Sequence, residues 1–356
     1  MIDVAVVGLG PPGAHFARRA AAQGHEVVAF ERGSVGEPLA CSGHVSRDLW
    51  DFLPEDAPER LGQHEIRGAR FHPDGDHSYP FYREDPISNA IDRVALDRLL
   101  ADLAGEAGAT IRTNHAVTAV EERRDGVGLT VQGPDGAETV DARLVVGADG
   151  PRSTVRRELG LPEPEEFLVG TLRHVPEPDH GDFVDVYLSV PTFFGWRIPR
   201  GEAGVEYGLA APPDYDVVAH LENRLAGGVT AGPRFGGLIP IGPPDRVHTH
   251  RAILLGDAAA QTKPFTGGGI LYGLRAAEIA ARTLDPAAPD TAAYERAWRA
   301  ELGTEIRLGR WIRRAYSLPD PIARLGLRAF AGEIGVHMDE PTSLFSREAL
   351  AALFRG

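Results

Sequence analysis

Between positions 256 and 270 the chain reads Gly-Asp-Ala-Ala-Ala-Gln-Thr-Lys-Pro-Phe-Thr-Gly-Gly-Gly-Ile. The stretch supplies a carboxylate at Asp257, an ammonium at Lys263 and three residues without side chains, Gly267, Gly268 and Gly269, just before an Ala-rich helical pattern opening at Ile270. Glycines let a backbone approach a ligand closely. The helix start behind them offers unpaired N–H groups and partial positive charge. That chemistry suits a flat cofactor that becomes anionic when reduced. Lys263 is the only lysine in the chain; every other basic side chain apart from histidine is an arginine. A compact ammonium is not equivalent to a planar guanidinium. Its place between Asp257 and the glycines reads as a cofactor contact.

Two further motifs have the same strand–turn–helix context. Val4 to Val7 reads as a buried strand, followed by Gly8-Leu-Gly10-Pro-Pro-Gly13 and a helix to about Gln23. Gly8 makes the tight turn, Gly10 admits a pyrophosphate, and Gly13 lets helix and strand pack closely. Pro12 fits a first helical turn. Glu26 to Phe30 form the next strand, and Glu31, 18 residues beyond Gly13, suits a ribose hydroxyl with Arg32 beside it. Leu144 to Arg156 is the third such unit, with Asp149 and Gly150 at its turn. Arg93 sits in the first turn of a helix capped by Asp92, where a cation is disfavoured by the dipole. Either a nearby anion or solvent exposure accounts for it. A fingerprint alone does not separate NAD from FAD. The fingerprint together with two acidic turns, Asp149 and Asp257, indicates FAD.

The elements that must position these groups suggest an α/β architecture: a Rossmann-like FAD-binding domain (1–65, 92–165 and 246–300), an inserted mixed β-sheet substrate domain (66–91 and 166–245), and a helical C-terminal segment (301–356). Short strands are expected at Ile66–His72, Ser78–Tyr82, Thr110–Arg112, His115–Glu122, Val127–Gln132 and Glu138–Val140, with Asp-Gly turns between hairpin arms. Further strands are expected at Val169–Val175, Phe183–Val190, Phe193–Ile198 and Gly204–Ala210, with one helix near Val217–Ala226. Helices follow over 270–284 and 289–315 and to the end, Ser346 serving as a last cap. Phe193-Phe-Gly-Trp-Arg-Ile-Pro199 is unusually aromatic for a chain with 7% aromatics. Such a set either packs a core or walls an apolar channel.

Composition narrows the partners. With 51 acidic against 37 basic residues the formal charge is −14, which argues against nucleic acid. The single cysteine, Cys41, excludes an internal disulfide framework and a Cys-based zinc site, and no metal is expected. No leader precedes the first strand and no apolar run approaches ~20 residues, so a cytoplasmic protein is expected. Arg307 to Arg328 holds six arginines and one acid, Asp320. Leu308, Trp311, Ile312 and Ala315 recur at helical spacing, giving one apolar face. The stretch is either a packed helix with a solvated Arg face or a peripheral contact for an anionic membrane.

Cys41-Ser-Gly, Phe194-Gly-Trp-Arg-Ile-Pro199 and the Gly256–Ile270 motif, together with the three FAD motifs in this order, resemble the geranylgeranyl reductases, within the aromatic-hydroxylase-type flavoproteins. The resemblance covers about residues 1–300. It implies that Gly8, Gly10, Gly13, Glu31, Arg93, Asp149 and Asp257 hold FAD, and that isoprenoid double bonds are saturated by hydride from flavin N5 plus a proton. Gly267 to Gly269 would stabilise the reduced flavin, Gly268 and Gly269 at the reacting ring. Phe193, Phe194, Trp196 and Pro199 would line the prenyl channel, and Cys41 and His44 would face the substrate, with the proton source open. Reduced ferredoxin or NAD(P)H would supply electrons. Departures from the family pattern are Ile198 where an aromatic is usual, Ala260 where Gly is usual, and a short C-terminal part. Two other readings share the cofactor motifs: a monooxygenase of an apolar aromatic, and a non-catalytic prenyl-lipid binder.

Overall fold

The computed structural model describes residues 1–38, 41–225, 232–318, 320–330, 332–333 and 338–342. A seven-stranded sheet forms the cofactor side, in the order β8 (Thr110–Arg112), β2 (Val27–Phe30), β1 (Ile2–Val7), β11 (Gly136–Gly147), β10 (Val127–Gly133), β9 (Ala116–Glu122), with β17 (Ala252–Leu254) also on β11. Strands β8, β2, β1, β11 and β17 run parallel; β10 and β9 are antiparallel. The parallel strands are covered on both faces, so they read as apolar runs rather than alternating ones. Val4 to Val7 and Leu144 to Val146 are accordingly buried. Strand β11 merges the two strands expected at 138–140 and from 144. Its first half pairs with β10 and its second half with β1, so a single strand serves both a hairpin and the parallel core.

An eight-stranded sheet forms the opposite side, in the order β16 (Arg234–Ile241), β12 (Glu166–Val175), β15 (Val205–Ala211), β14 (Gly195–Pro199), β13 (Phe183–Tyr187), β5 (Gly68–His72), β6 (Tyr79–Tyr82), β18 (Gly332–Glu333). A small sheet of β3 (His44–Ser46), β7 (Ser88–Ile91) and β4 (Gly62–Ile66) lies beside the Cys41 loop. Strands β3, β4, β7, β16 and β18 are absent from the sequence expectations, and β18, paired with β6, interrupts the helices expected to run to the end. Strand β16 carries two glycines and Pro240, which weaken a strand signal, and it sits at a sheet edge, where a proline is tolerated.

Helices α1 (Pro11–Ala22), α2 (Ala57–Leu61), α3 (Arg93–Glu106), α4 (Thr154–Glu158), α5 (Val217–His220), α6 (Ile270–Thr283), α7 (Thr291–Arg314) and α8 (Asp320–Phe330) complete the fold. Asp92 caps α3, its carboxylate accepting from Ala95 N at 2.9 Å. Helix α1 begins on Pro11 and Pro12 and packs between α3 and α6. The helix expected over 217–226 is one α turn followed by a π turn, Leu221–Leu225. Trp311 is exposed rather than packed. The buried face of α7 runs through Trp298, Leu302, Ile306 and Gly309, so the stripe expected on 308, 311, 312 and 315 is not its core face. Ser346 lies outside the described residues. Among the described residues no helix is long and apolar enough to cross a membrane.

Candidate active site

Strands β1, β11 and β17 are parallel neighbours, so their carboxyl ends open on one edge of the sheet. There the Gly8–Gly13, Asp149–Gly150 and Gly256–Asp257 turns come together, as expected where an open α/β sheet binds a ligand. The fit to a dinucleotide rests on missing side chains. Gly8 has φ +94°, and a Cβ there would lie 2.4 Å from the Ala148 carbonyl oxygen. A Cβ on Gly13 would lie 2.1 Å from Gly8 O, so this glycine lets α1 press onto the turn. A Cβ on Gly10 would meet nothing within 4 Å: the space over the start of α1 is open. Neither α1 nor α6 has a side-chain cap, so their first N–H groups stay free for a ligand. The Glu31 carboxylate takes Leu9 N at 3.0 Å and Gly33 N at 3.3 Å, which holds it at the end of β2, with Arg32 exposed beside it.

A cavity of about 2810 Å³ runs from this edge to the eight-stranded sheet. A pocket for one drug-sized ligand is roughly 300–1,000 Å³. The excess suits a dinucleotide and a long second ligand together. Every residue expected at the site lines this cavity except Gly13, which packs under the turn, and Pro199, buried at the end of β14 away from the wall.

The glycine triplet is the junction. A Cβ on Gly269 would come within 2.8 Å of Asp257 Oδ1, one on Gly268 within 2.9 Å of Lys263 Cε, and one on Gly267 within 3.2 Å of Phe193 Cζ. One loop therefore touches a carboxylate, an ammonium and an aromatic wall through consecutive residues. Gly267 has φ +72°, which only glycine takes readily. Burial pushes the Asp257 carboxyl up to about 6, against the attraction of Arg93. Lys263 is buried and paired with Asp339, whose own carbonyl accepts from Tyr272 Oη at 3.0 Å. The lone lysine thus fastens the C-terminal segment to the site.

Two carboxylates and a histidine are deployed in ways the spacing does not reveal. Asp149 turns back on α4, accepting from Ser153 Oγ at 2.5 Å and from Thr154 N at 2.6 Å. Burial raises its carboxyl and these hydrogen bonds oppose the rise. Arg93 is not solvent-facing. Its anion is Asp97, which grips both terminal guanidinium nitrogens. His44 Nε2 lies 2.8 Å from Ser88 Oγ. Burial first, then the charges of Lys263 and Arg200, pull its imidazole down to about 4, so it is neutral at pH 7.

The far wall is aromatic. Phe193 and Phe194 stack at 4.3 Å, Trp196 meets Phe194 edge-on at 5.9 Å, and Tyr316 from the turn after α7 closes on both phenylalanines. Trp196 is held by a buried carboxylate that the sequence does not point to. Glu206 accepts from Trp196 Nε1 at 2.8 Å, His174 Nε2 at 2.9 Å and Arg200 Nη1 at 3.1 Å. Arg200 also donates to the carbonyls of Ser42 and Ile91, both at 2.6 Å. This pair ties the channel wall to the loop carrying Cys41 and His44. Tyr316, Ser88 and Asp339 are likewise silent in sequence, each being brought in by tertiary contact alone.

Residues 62–217 match a family described as an FAD binding domain. The chain is similar to the digeranylgeranylglycerophospholipid reductase of Methanothrix thermoacetophila, 29% identical over 85% of this chain and 84% of that one. It is equally similar to digeranylgeranylglycerophospholipid reductase 2 of Methanothermobacter thermautotrophicus, 29% identical over 85% of both chains. In fold it matches a geranylgeranyl bacteriochlorophyll reductase-like protein from Thermoplasma acidophilum, with TM-score 0.85, 21% identity, and 99% and 95% of the two chains covered. It also matches the anhydrotetracycline hydroxylase OxyS from Streptomyces rimosus, with TM-score 0.69, 24% identity, and 99% and 75% covered. The chain is an FAD-dependent oxidoreductase similar to the digeranylgeranylglycerophospholipid reductases.

Proposed function

We propose that this protein saturates isoprenoid C=C bonds of geranylgeranyl lipids. The observation that carries the reading is the glycine loop, which meets the Asp257 carboxylate and the Lys263 side chain through Gly269 and Gly268 and the Phe193 ring through Gly267. Gly8, Gly10, Glu31 and Arg93 would hold FAD along the sheet edge, and Gly268 and Gly269 would leave room for its ring. Bound and reduced, it would supply the hydride for one alkene carbon. An isolated alkene accepts hydride poorly, so protonation at the less substituted carbon must accompany the transfer, in a site that excludes water. Phe193, Phe194 and Trp196 provide that dry wall and orient the chain. His44, neutral at pH 7, does not deliver the proton as an imidazolium. It holds Ser88 instead. Cys41, which lines the cavity, would face the substrate, and Cys41→Ala with full turnover would remove it from the chemistry. Reduced ferredoxin or NAD(P)H would recharge the site from outside.

The decisive experiment incubates dithionite-reduced holoenzyme with geranylgeranyl lipids in detergent, without oxygen, and follows lipid mass. The expected result is a gain of one hydrogen molecule per bond reduced. The shared fold with a hydroxylase favours one second reading, a monooxygenase of an apolar aromatic. No mass gain, with rapid NAD(P)H-driven oxygen uptake on an aromatic substrate, would establish that one. Protein that binds the lipid but not FAD would leave only a lipid carrier.

A further inference from the structure

We propose that the end of α7 and helix α8 dock the protein on an anionic lipid bilayer, with the cavity mouth facing the membrane. In an acidic protein, this corner gathers large apolar side chains that stand open among the described residues: Trp311 is 66% exposed, Leu318 42%, Ile322 54% and Leu325 71%. Single exposed hydrophobics are ordinary, but a cluster of them marks an interaction surface. Leu318 and Ile322 are also part of the cavity lining, so they form its rim. The inner side of the same corner, Ile312, Ala323 and Leu327, continues into the cavity. One short, strongly amphipathic helix therefore separates an apolar interior from an apolar exterior.

The surrounding charge selects the partner. Of the six arginines from Arg307 to Arg328, Arg310 and Arg313 pair with Glu165 and Glu166, and Arg324 lies 3.7 Å from Asp74. Arg307, Arg314 and Arg328 remain exposed, and the Arg314 guanidinium stacks over Trp311 with its carbon 4.3 Å from the ring centroid. Arginines flanking Trp, Leu and Ile on one face are the make-up of a helix lying in a headgroup layer, charged groups at the phosphates and apolar groups below them. A nucleic acid would meet the charges but leave Ile322 and Leu325 unsatisfied. A bilayer satisfies both. The purpose assigned to the surface rests on the prenyl-lipid reading: a long apolar substrate would pass from membrane to cavity without crossing water.

Co-sedimentation of the FAD-loaded protein with phosphatidylglycerol vesicles and with phosphatidylcholine vesicles tests this without any turnover, so its outcome is separate from that of the reductase assay. Binding is expected on the anionic vesicles, at least tenfold weaker on the zwitterionic ones, and weaker still as salt rises. Removing one arginine from such a surface costs roughly fivefold. Arg314→Glu/Arg328→Glu is therefore expected to lower anionic binding by more than tenfold, and Trp311→Ser/Leu325→Ser to do the same. None of these four residues lines the cavity, so all variants should keep wild-type activity on detergent-dispersed lipid. The inference is overturned by absent vesicle binding, by double variants that bind like wild type, or by a stable dimer in solution that these substitutions dissociate.

Discussion

The two ends of the cavity are built by different means. At the cofactor end the backbone does the shaping: a Cβ on Gly8 or Gly13 would meet a carbonyl oxygen at 2.4 Å or 2.1 Å, and the ligand's place is defined by what is missing. At the substrate end side chains do it. Phe193, Phe194, Trp196 and Tyr316 come from two separate regions of the chain and shape the wall by stacking. The first construction fails when one carbon is added. The second yields by degrees, because a truncated ring leaves a cavity that neighbours partly refill.

The largest effect should come from cutting the joint between the ends. Glu206→Ala leaves the buried Arg200 guanidinium without its carboxylate and releases Trp196 and His174. Breaking a buried pair from one side costs about 3–5 kcal/mol. Urea unfolding should show a loss of that order, and Glu206→Gln a smaller one, since an amide still accepts from Trp196. Equal stability of wild type and Glu206→Ala would mean that the two ends are not mechanically coupled.

Next comes the cofactor end itself. Gly8→Ala introduces both a clash and a φ of +94° that alanine resists. Strain of about 3 kcal/mol corresponds to roughly 100-fold weaker FAD binding. The purified variant should be colourless, and flavin titration followed by fluorescence measures the deficit. At the substrate end, Phe194→Ala should leave FAD binding unchanged and raise KM for a prenyl lipid by about tenfold, the worth of roughly 1–2 kcal/mol of lost apolar and ring contact. A variant that lost flavin instead would break the division between the ends.

The same contrast decides what could be read from the chain. The turn motifs were legible because each is a local rule: Gly8, Gly10 and Gly13 must be small for reasons contained within a few residues, and Asp92 caps the helix it precedes. The strand positions of the cofactor sheet followed from buried apolar runs. What could not be read depends on distant partners. The anion beside Arg93 is Asp97, one helical turn along α3, and the spacing alone did not choose between it and solvent. The hydrogen bonds that Asp149 accepts from Ser153 Oγ and Thr154 N likewise left no mark in the spacing. Strand β16 escaped because its glycines and Pro240 imitate a loop, and only the pairing with β12 along its length makes it a strand. Glu206 and Asp339, both fully buried, gave no local signal, since a carboxylate is buried only when its partners arrive from elsewhere.

The smallest effect sharpens the comparison at the junction, through pH. Burial raises the Asp257 carboxyl from its ordinary 3.8 to about 6. Its contribution to stability is present below 3.8 and is lost as pH rises through 6, because the folded protein then holds a poorly hydrated carboxylate. His44 works in the opposite sense. Its imidazole is lowered from 6.5 to about 4, so stability is lost as pH falls from 6.5 towards 4, where the unfolded chain takes a proton that the folded one declines. Between pH 4 and 6 the two slopes oppose each other in the flavin-free protein. Asp257→Asn removes one of them. Its melting temperature should exceed that of wild type by a few degrees above pH 6, and should fall more steeply than wild type's as pH is lowered towards 4, exposing the His44 slope. Adding His44→Gln should flatten what remains. If Asp257→Asn melts in parallel with wild type across that range, the Asp257 carboxylate is solvated in the free enzyme, and the polar face of the glycine loop is wetter than its contacts with Lys263 and Phe193 imply.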